Sequence, residues 1–231
     1  MNERHRLVVV TAFALAMAWV ESAVVFYLRT MIDRIEPYQP NPLPIVGGLV
    51  GAELVREAAT LVMLAAAGWL AGWNLRARWG YFLIAFGVWD LGYYAFLKIL
   101  TGWPHSPLDW DILFLLPLPW WGPVLAPSLI AALMIAVGLL VTQTETCARQ
   151  CWPSGRAWFA AALGAALALC VFMQDALRVA GQGEAALREL LPVAFNWPLF
   201  LPALALMAAP LVELLFQVAR PADRLAPARA D

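Results

Sequence analysis

Eight ionisable side chains sit inside stretches that are otherwise apolar: Glu21, Glu53, Arg56, Glu57, Asp90, Lys98, Asp175 and Glu213. A charged group in hydrocarbon costs several kcal/mol, so each one needs a partner, a proton or a function. At 100° per residue, Glu53, Arg56, Glu57 and Thr60 fall within an arc of about 100°, one polar stripe on an apolar helix. Asp90, Tyr94 and Lys98 follow at i, i+4 and i+8 further along the chain, with Tyr93 beside them. Carboxylates in such a setting either move protons or ligate hard cations such as Mg²⁺, Ca²⁺ or Mn²⁺. Arginine and lysine among them hold an anionic or carbonyl group. Glu57, Asp90 and Glu21 are therefore the candidate catalytic residues, and Arg56, Lys98, Glu53 and Tyr94 the candidate ligand-binding ones. Glu21, Glu53, Arg56, Glu57, Asp90 and Lys98 carry four negative and two positive charges when all are ionised. That excess cannot stay dry and fully charged, so a proton or a bound cation must compensate.

The elements that carry these groups follow from composition. Of 231 residues, 63% are hydrophobic and 13% charged, and 12 are Trp. A soluble domain carries about a quarter charged residues, so a soluble globular protein, a disordered chain and a disulfide-rich secreted scaffold are all excluded. A net charge of -1 without a basic patch argues against nucleic acid as a partner. The reading is an all-α polytopic membrane bundle, because a helix crosses a bilayer in about 20 apolar residues. Its six spans fall at about 7–28, 47–74, 80–101, 122–142, 157–177 and 192–217, forming one transmembrane domain over 1–218. The tail 219–231 reads as a disordered cytoplasmic end. The first span has a small-residue pattern at Ala14, Ala16 and Ala18 but continues to Leu28, longer than the apolar core of a signal peptide, so it reads as retained.

Cations set the orientation. Arg4, Arg6, Arg76, Arg78, Arg149, Arg156, Arg220, Arg224 and Arg229 lie on one side, against Arg29, Arg34, Lys98, Arg178 and Arg188 on the other. Both termini are expected in the cytoplasm. At about 1.5 Å per residue, Glu21 then lies roughly 21 Å and Glu57 about 24 Å from the cytoplasmic edge, with Asp90 near the midplane. The charges of three consecutive helices thus overlap in the outer half of the bilayer. The second and third helices, joined by a short turn, should be antiparallel neighbours with facing stripes.

Two outer connections differ in character. Pro37, Pro40, Pro42 and Pro44 make the first extended and stiff. The second, Trp103–Pro127, has an apolar centre and several prolines, which rules out both a solvated loop and one regular helix; a short re-entrant or interfacial element is expected. This segment could act as a lid that presses His105, Asp109 and Asp111 over the stripe, and these three join the candidate ligand-binding residues.

Other features carry less. Cys147 and Cys151 read as reduced thiols in a cytoplasmic loop, and Cys170 lies within a span. With only 2 His, a bis-histidine haem site and a di-iron centre are disfavoured. A divalent cation held by carboxylates stays open as a cofactor, and no metal ligand can be named. Hydrolase, P-loop and dinucleotide motifs are missing. Asp175 and Glu213, near helix ends, read as solvated or capping groups. Gly47/Gly51 and Gly68/Gly72 favour close helix packing.

The strings ESAVVFYLRT, REAATLVML, FGVWDLGYYAFLK and WPHSPLDWDILFLLPLPWWGPVLAP together resemble a family of bacterial multi-pass membrane proteins, over roughly residues 15–140. No activity attaches to that family. The resemblance implies six spans, a bacterial origin and hence the bacterial cytoplasmic (inner) membrane.

Three functions fit. The first is a membrane-embedded enzyme or binding protein for an amphiphilic, lipid- or quinone-like ligand in a carboxylate-rich pocket. A proton- or cation-coupled transporter comes second. Third is an accessory subunit of a larger membrane complex, whose charges act as packing or partner contacts; further copies of the chain in a homo-oligomer, or subunits of such a complex, are the candidate protein partners. The lipid bilayer is a partner in each.

Overall fold

The computed structural model describes residues 2–39, 49–115, 118–144 and 152–219. Among these, six helical stretches are long and apolar enough to cross a membrane. The first five are α1 (Glu3–Met31), α2 (Leu49–Ala71), α3 (Leu75–Thr101), α4 (Leu125–Thr144) and α5 (Gly155–Val179). A 3₁₀ turn at Ala180–Gln182 and a short α6 (Glu184–Arg188) follow. The sixth stretch is divided into α7 (Trp197–Met207) and α8 (Ala209–Ala219).

Most boundaries that depart from the expected ones have a cap as their cause. Asn2 accepts a hydrogen bond from the His5 amide at 2.8 Å, so α1 begins ahead of the apolar run. Asn74 does the same for Ala77 at 2.8 Å, which puts Arg76 and Arg78 inside α3 rather than in a turn. Ser154 caps α5, and its own N–H and hydroxyl donate to Glu213 at 3.0 and 2.8 Å. Glu213 is thus a capping group, while Asp175 pairs with Arg178 at 2.9 Å on one exposed helix edge. The break in the last span comes from Pro210, which has no N–H to give the Leu206 carbonyl; the Ala208 N–H turns inward to it instead.

Helices in lipid gain little from apolarity alone and associate through close packing and polar contacts. α3 is the hub, packed on α1, α2 and α4. Ala14, Ala18 and Ser22 recur every four residues on α1 and are completely buried. A Cβ on Gly92 of α3 would come within 2.9 Å of Ala18, so the two backbones approach closely. The Ser22 hydroxyl reaches the Tyr93 carbonyl across this seam at 3.0 Å. Gly68 of α2 and Gly72 just after it pack tightly on the start of α3, whereas Gly51 faces open space and Gly47 lies outside the described residues. Pro40, Pro42, Pro44, Cys147, Cys151 and the tail also fall outside them. Large apolar side chains such as Val62, Leu70, Phe159 and Phe216 point outward, as contact with lipid demands.

A second core joins α4, α5 and α7 through Ala126, Ala168, Phe172, Phe200 and Ala203. The segment expected to be re-entrant or interfacial contains a small antiparallel hairpin. Trp110–Ile112 (β1) pairs with Trp121–Pro123 (β2), with Asp111 opposite Gly122. Gly122 lets the hairpin lie against α5, because a Cβ there would meet the Phe172 ring at 2.8 Å. The hairpin is buried: Asp111 is 1% exposed and Trp121 2%.

Candidate functional site

Between the α1–α3 core and the α4–α5–α7 core lies a cavity of about 590 Å³. Its walls are mainly apolar, and its ionisable groups come from α1 and the residues after it, α2, α3 and the hairpin. α2 contributes a polar stripe, as its spacing predicts. Arg56 lies between two carboxylates: its Nε donates to Glu53 at 2.9 Å, one terminal nitrogen bonds Glu53 again, and the other bonds Glu21 of α1. The Thr60 hydroxyl donates to the second oxygen of Glu21 at 3.2 Å. This network ties α1 to α2.

Glu57 turns a different way. Its carboxylate accepts the Leu115 amide at 3.0 and 3.2 Å, which fastens the end of the hairpin to α2. On the opposite wall, Arg29 of α1 pairs with Asp111 at 2.8 Å, and both side chains are at most 10% exposed. The guanidinium also lies 4.5 Å over the Trp103 ring. Burial pushes the Asp111 carboxyl above the usual carboxylate range, while Arg29, the Ile112 amide at 2.9 Å and the Tyr94 hydroxyl pull it back. Arg34, also buried, donates to the carbonyls of Pro37 and Gln39 and knots the chain after α1.

Asp90 stands apart. It lines the cavity from α3, no hydrogen bond or ion pair from the described residues engages it, and its Oδ2 is buried without a partner. Beside it runs a ladder of rings that also line the cavity. Phe86 meets Trp89 at 5.3 Å, Trp89 meets Phe114 at 6.5 Å, Phe114 meets Trp120 at 5.2 Å, and Trp120 stacks on Phe172 at 6.5 Å. The indole N–H groups of Trp89 and Trp120 are buried and find no acceptor among the described residues. A buried polar atom left in this state calls for an explanation.

The cavity thus brings together Glu21, Glu53, Arg56, Glu57, Asp90, Tyr94 and Asp111. Three of the expected residues lie elsewhere. Lys98 is exposed and donates at 2.7 Å to the carbonyls of Gly102 and Pro104, where the end of α3 attracts a cation. His105 faces Glu36 at 3.2 Å with both side chains more than half exposed. Asp109 accepts the amides of His105 and Ser106 at 2.6 and 3.2 Å and so shapes its own turn. Trp103–Pro127 does cover the cavity, but through Leu113, Phe114, Leu115 and Trp120, with Asp111 as the one charged contributor of the expected three.

Arg29, Arg34, Trp89 and Trp120 were not candidates from the sequence. A signal existed for Arg29. It lies seven residues after Ser22, and so continues the buried stripe of Ala14, Ala18 and Ser22. The hairpin partners carried no such periodicity.

A metal finds little support. Among the described residues, no three His, Cys, Asp or Glu side chains are grouped so that they could hold an ion. Glu21 and Glu53 are instead bonded to Arg56.

Fold and site together define a multi-pass helical membrane protein with an internal, amphipathic cavity. No protein-family model, curated protein or solved structure matches the chain.

Proposed function

We propose that this protein holds an amphiphilic molecule inside its helix bundle, as a membrane-embedded binding protein or enzyme. The observation that carries this reading is the cavity itself: apolar and aromatic walls, a charged end, and buried polar atoms that the described residues leave unpartnered. Its volume of about 590 Å³ suits a ligand of small-molecule or single-chain size, since such sites commonly span about 300–1,000 Å³. The aromatic ladder suits a flat or chain-like apolar body, and the two indole N–H groups can donate to a carbonyl, ester or ether oxygen. With the termini in the cytoplasm, the charged end opens to the outer half of the bilayer. Of the acids expected to exchange protons, Glu21 and Glu57 are committed to structural bonds, which leaves Asp90 as the group for contact with the ligand.

The test is native mass spectrometry of protein gently extracted from its own membrane, beside Ala165→Trp, which fills the cavity from α5. The expected result is an apolar small-molecule adduct on the natural protein that is lost in the variant. Bare protein in both samples, or stoichiometric partner subunits in both, would overturn the reading in favour of an accessory, structural role.

A further inference from the structure

We infer that the cavity selects an amphiphile whose headgroup carries an ammonium nitrogen, received by Asp90; this rests on the amphiphile reading above. Among the described residues, five carboxyl groups line the cavity, Glu21, Glu53, Glu57, Asp90 and Asp111, against the three guanidinium groups of Arg29, Arg34 and Arg56. Each arginine is already engaged. Arg56 is bonded by Glu21 and Glu53, Arg29 by Asp111, and Arg34 by the Pro37 and Gln39 carbonyls. An anionic headgroup would therefore meet a wall with an excess of two acids and cations already bound. That reverses the expectation that Arg56 and Lys98 hold an anion, since Lys98 is not in the cavity wall at all.

The surroundings of Asp90 complete the argument. Phe86 precedes it by one helical turn and Tyr93 and Tyr94 follow by one turn, so all three project from the same side of α3; Trp89 adjoins it, and all of them line the cavity. A carboxylate that no described residue bonds, with aromatic side chains beside it on the cavity wall, is the chemistry that recognises an alkylated ammonium: the rings attract the cation through their quadrupoles while the carboxylate neutralises it. A hydroxyl head would satisfy one oxygen but leave the acid excess unbalanced.

The experiment uses the full chain reconstituted in nanodiscs and exposed to equal amounts of tetradecylamine, tetradecanol and tetradecyl sulfate, with adducts read by native mass spectrometry. Tetradecylamine should be retained at least about tenfold over either competitor, a difference of about 1.4 kcal/mol. In Asp90→Asn, an isosteric change whose folding is checked by circular dichroism, the preference should fall to about twofold or less. A second arm compares single-chain (lyso) ethanolamine- and choline-headed phospholipids with a glycerol-headed one of the same chain. Enrichment of the first two would make the source a membrane lipid, and enrichment of the single-chain amine alone a free alkylamine. Equal retention of the three tetradecyl probes, or a preference that survives Asp90→Asn, overturns the headgroup assignment and leaves the amphiphile reading standing. Retention of none of them, together with bare protein from the native membrane, overturns both.

Discussion

Arginines pack at both ends of the α1–α2–α3 unit, half-buried or buried, and the two ends use them differently. At the end where α2 passes into α3, Arg6 donates to the Ala71 carbonyl and lies 5.1 Å over the Trp73 ring. Arg78 donates to the Gly72 carbonyl at 3.3 Å and lies 3.9 Å over Trp69. The terminal carbonyls of a helix have no partners in their own helix and form the negative end of its dipole, so cations there complete a structural need. At the other end Arg56 and Arg29 are bonded to carboxylates from neighbouring elements, and a further acid, Asp90, is left without a partner among the described residues, beside a cavity. The difference teaches how to separate architecture from site. A buried charge whose bonds close within the protein explains itself, whereas one that stays open next to an internal space points to something outside the chain.

Substitutions can break this contrast, and the largest effect is expected at Arg56. Arg56→Ala leaves Glu21 and Glu53 facing each other without their cation, at a cost of about 3–5 kcal/mol. We expect a sharp fall in yield and melting temperature in detergent, with partial recovery when Glu21→Gln is added. A melting temperature within about 2 °C of the natural protein would show that the network is not structural. At the opposite end Arg78→Ala removes one carbonyl bond and one ring contact, for about 1–2 kcal/mol by the same thermal assay, without altering ligand retention.

Glu57→Gln keeps an acceptor for Leu115 and loses the charge, so we expect about 1 kcal/mol and faster hydrogen exchange at the Leu115 amide. Unchanged exchange there would mean that the hairpin is held without α2. The smallest change sharpens the comparison most. In ligand-free protein Asp90→Asn should be neutral, or stabilising by up to about 1 kcal/mol, because it removes an acid that no described residue bonds. Destabilisation on the scale of Arg56→Ala would place Asp90 among the structural charges instead.

Much of the architecture was legible in the sequence because hydrocarbon imposes a length and a composition on each span. The polar stripe of Glu53, Arg56, Glu57 and Thr60 was legible as well, since its residues lie within one helix and obey one period. The reach of Arg56 to Glu21 followed as far as overlapping depth, although not as a bond. Lys98 shows where this reasoning stops. Its i+8 spacing from Asp90 pointed to the same stripe, yet the last turn of α3 offered it two carbonyls at 2.7 Å. Asp111 shows the converse: in sequence it resembled a lid residue like Asp109, and the register of a three-residue strand pair buried it against Arg29.

By itself, then, the sequence determined the class of protein, the six apolar helices and the concentration of charge near one end, because burial in lipid constrains every residue of a span in the same way. Only the tertiary structure decided which charges are spent on one another and which acid is left over. Partner choice among buried ions depends on distances of a few ångströms between elements far apart in the chain, set by small-residue seams such as Ala18 against Gly92 and by the hairpin seated on Phe172. No period along a single helix encodes those distances.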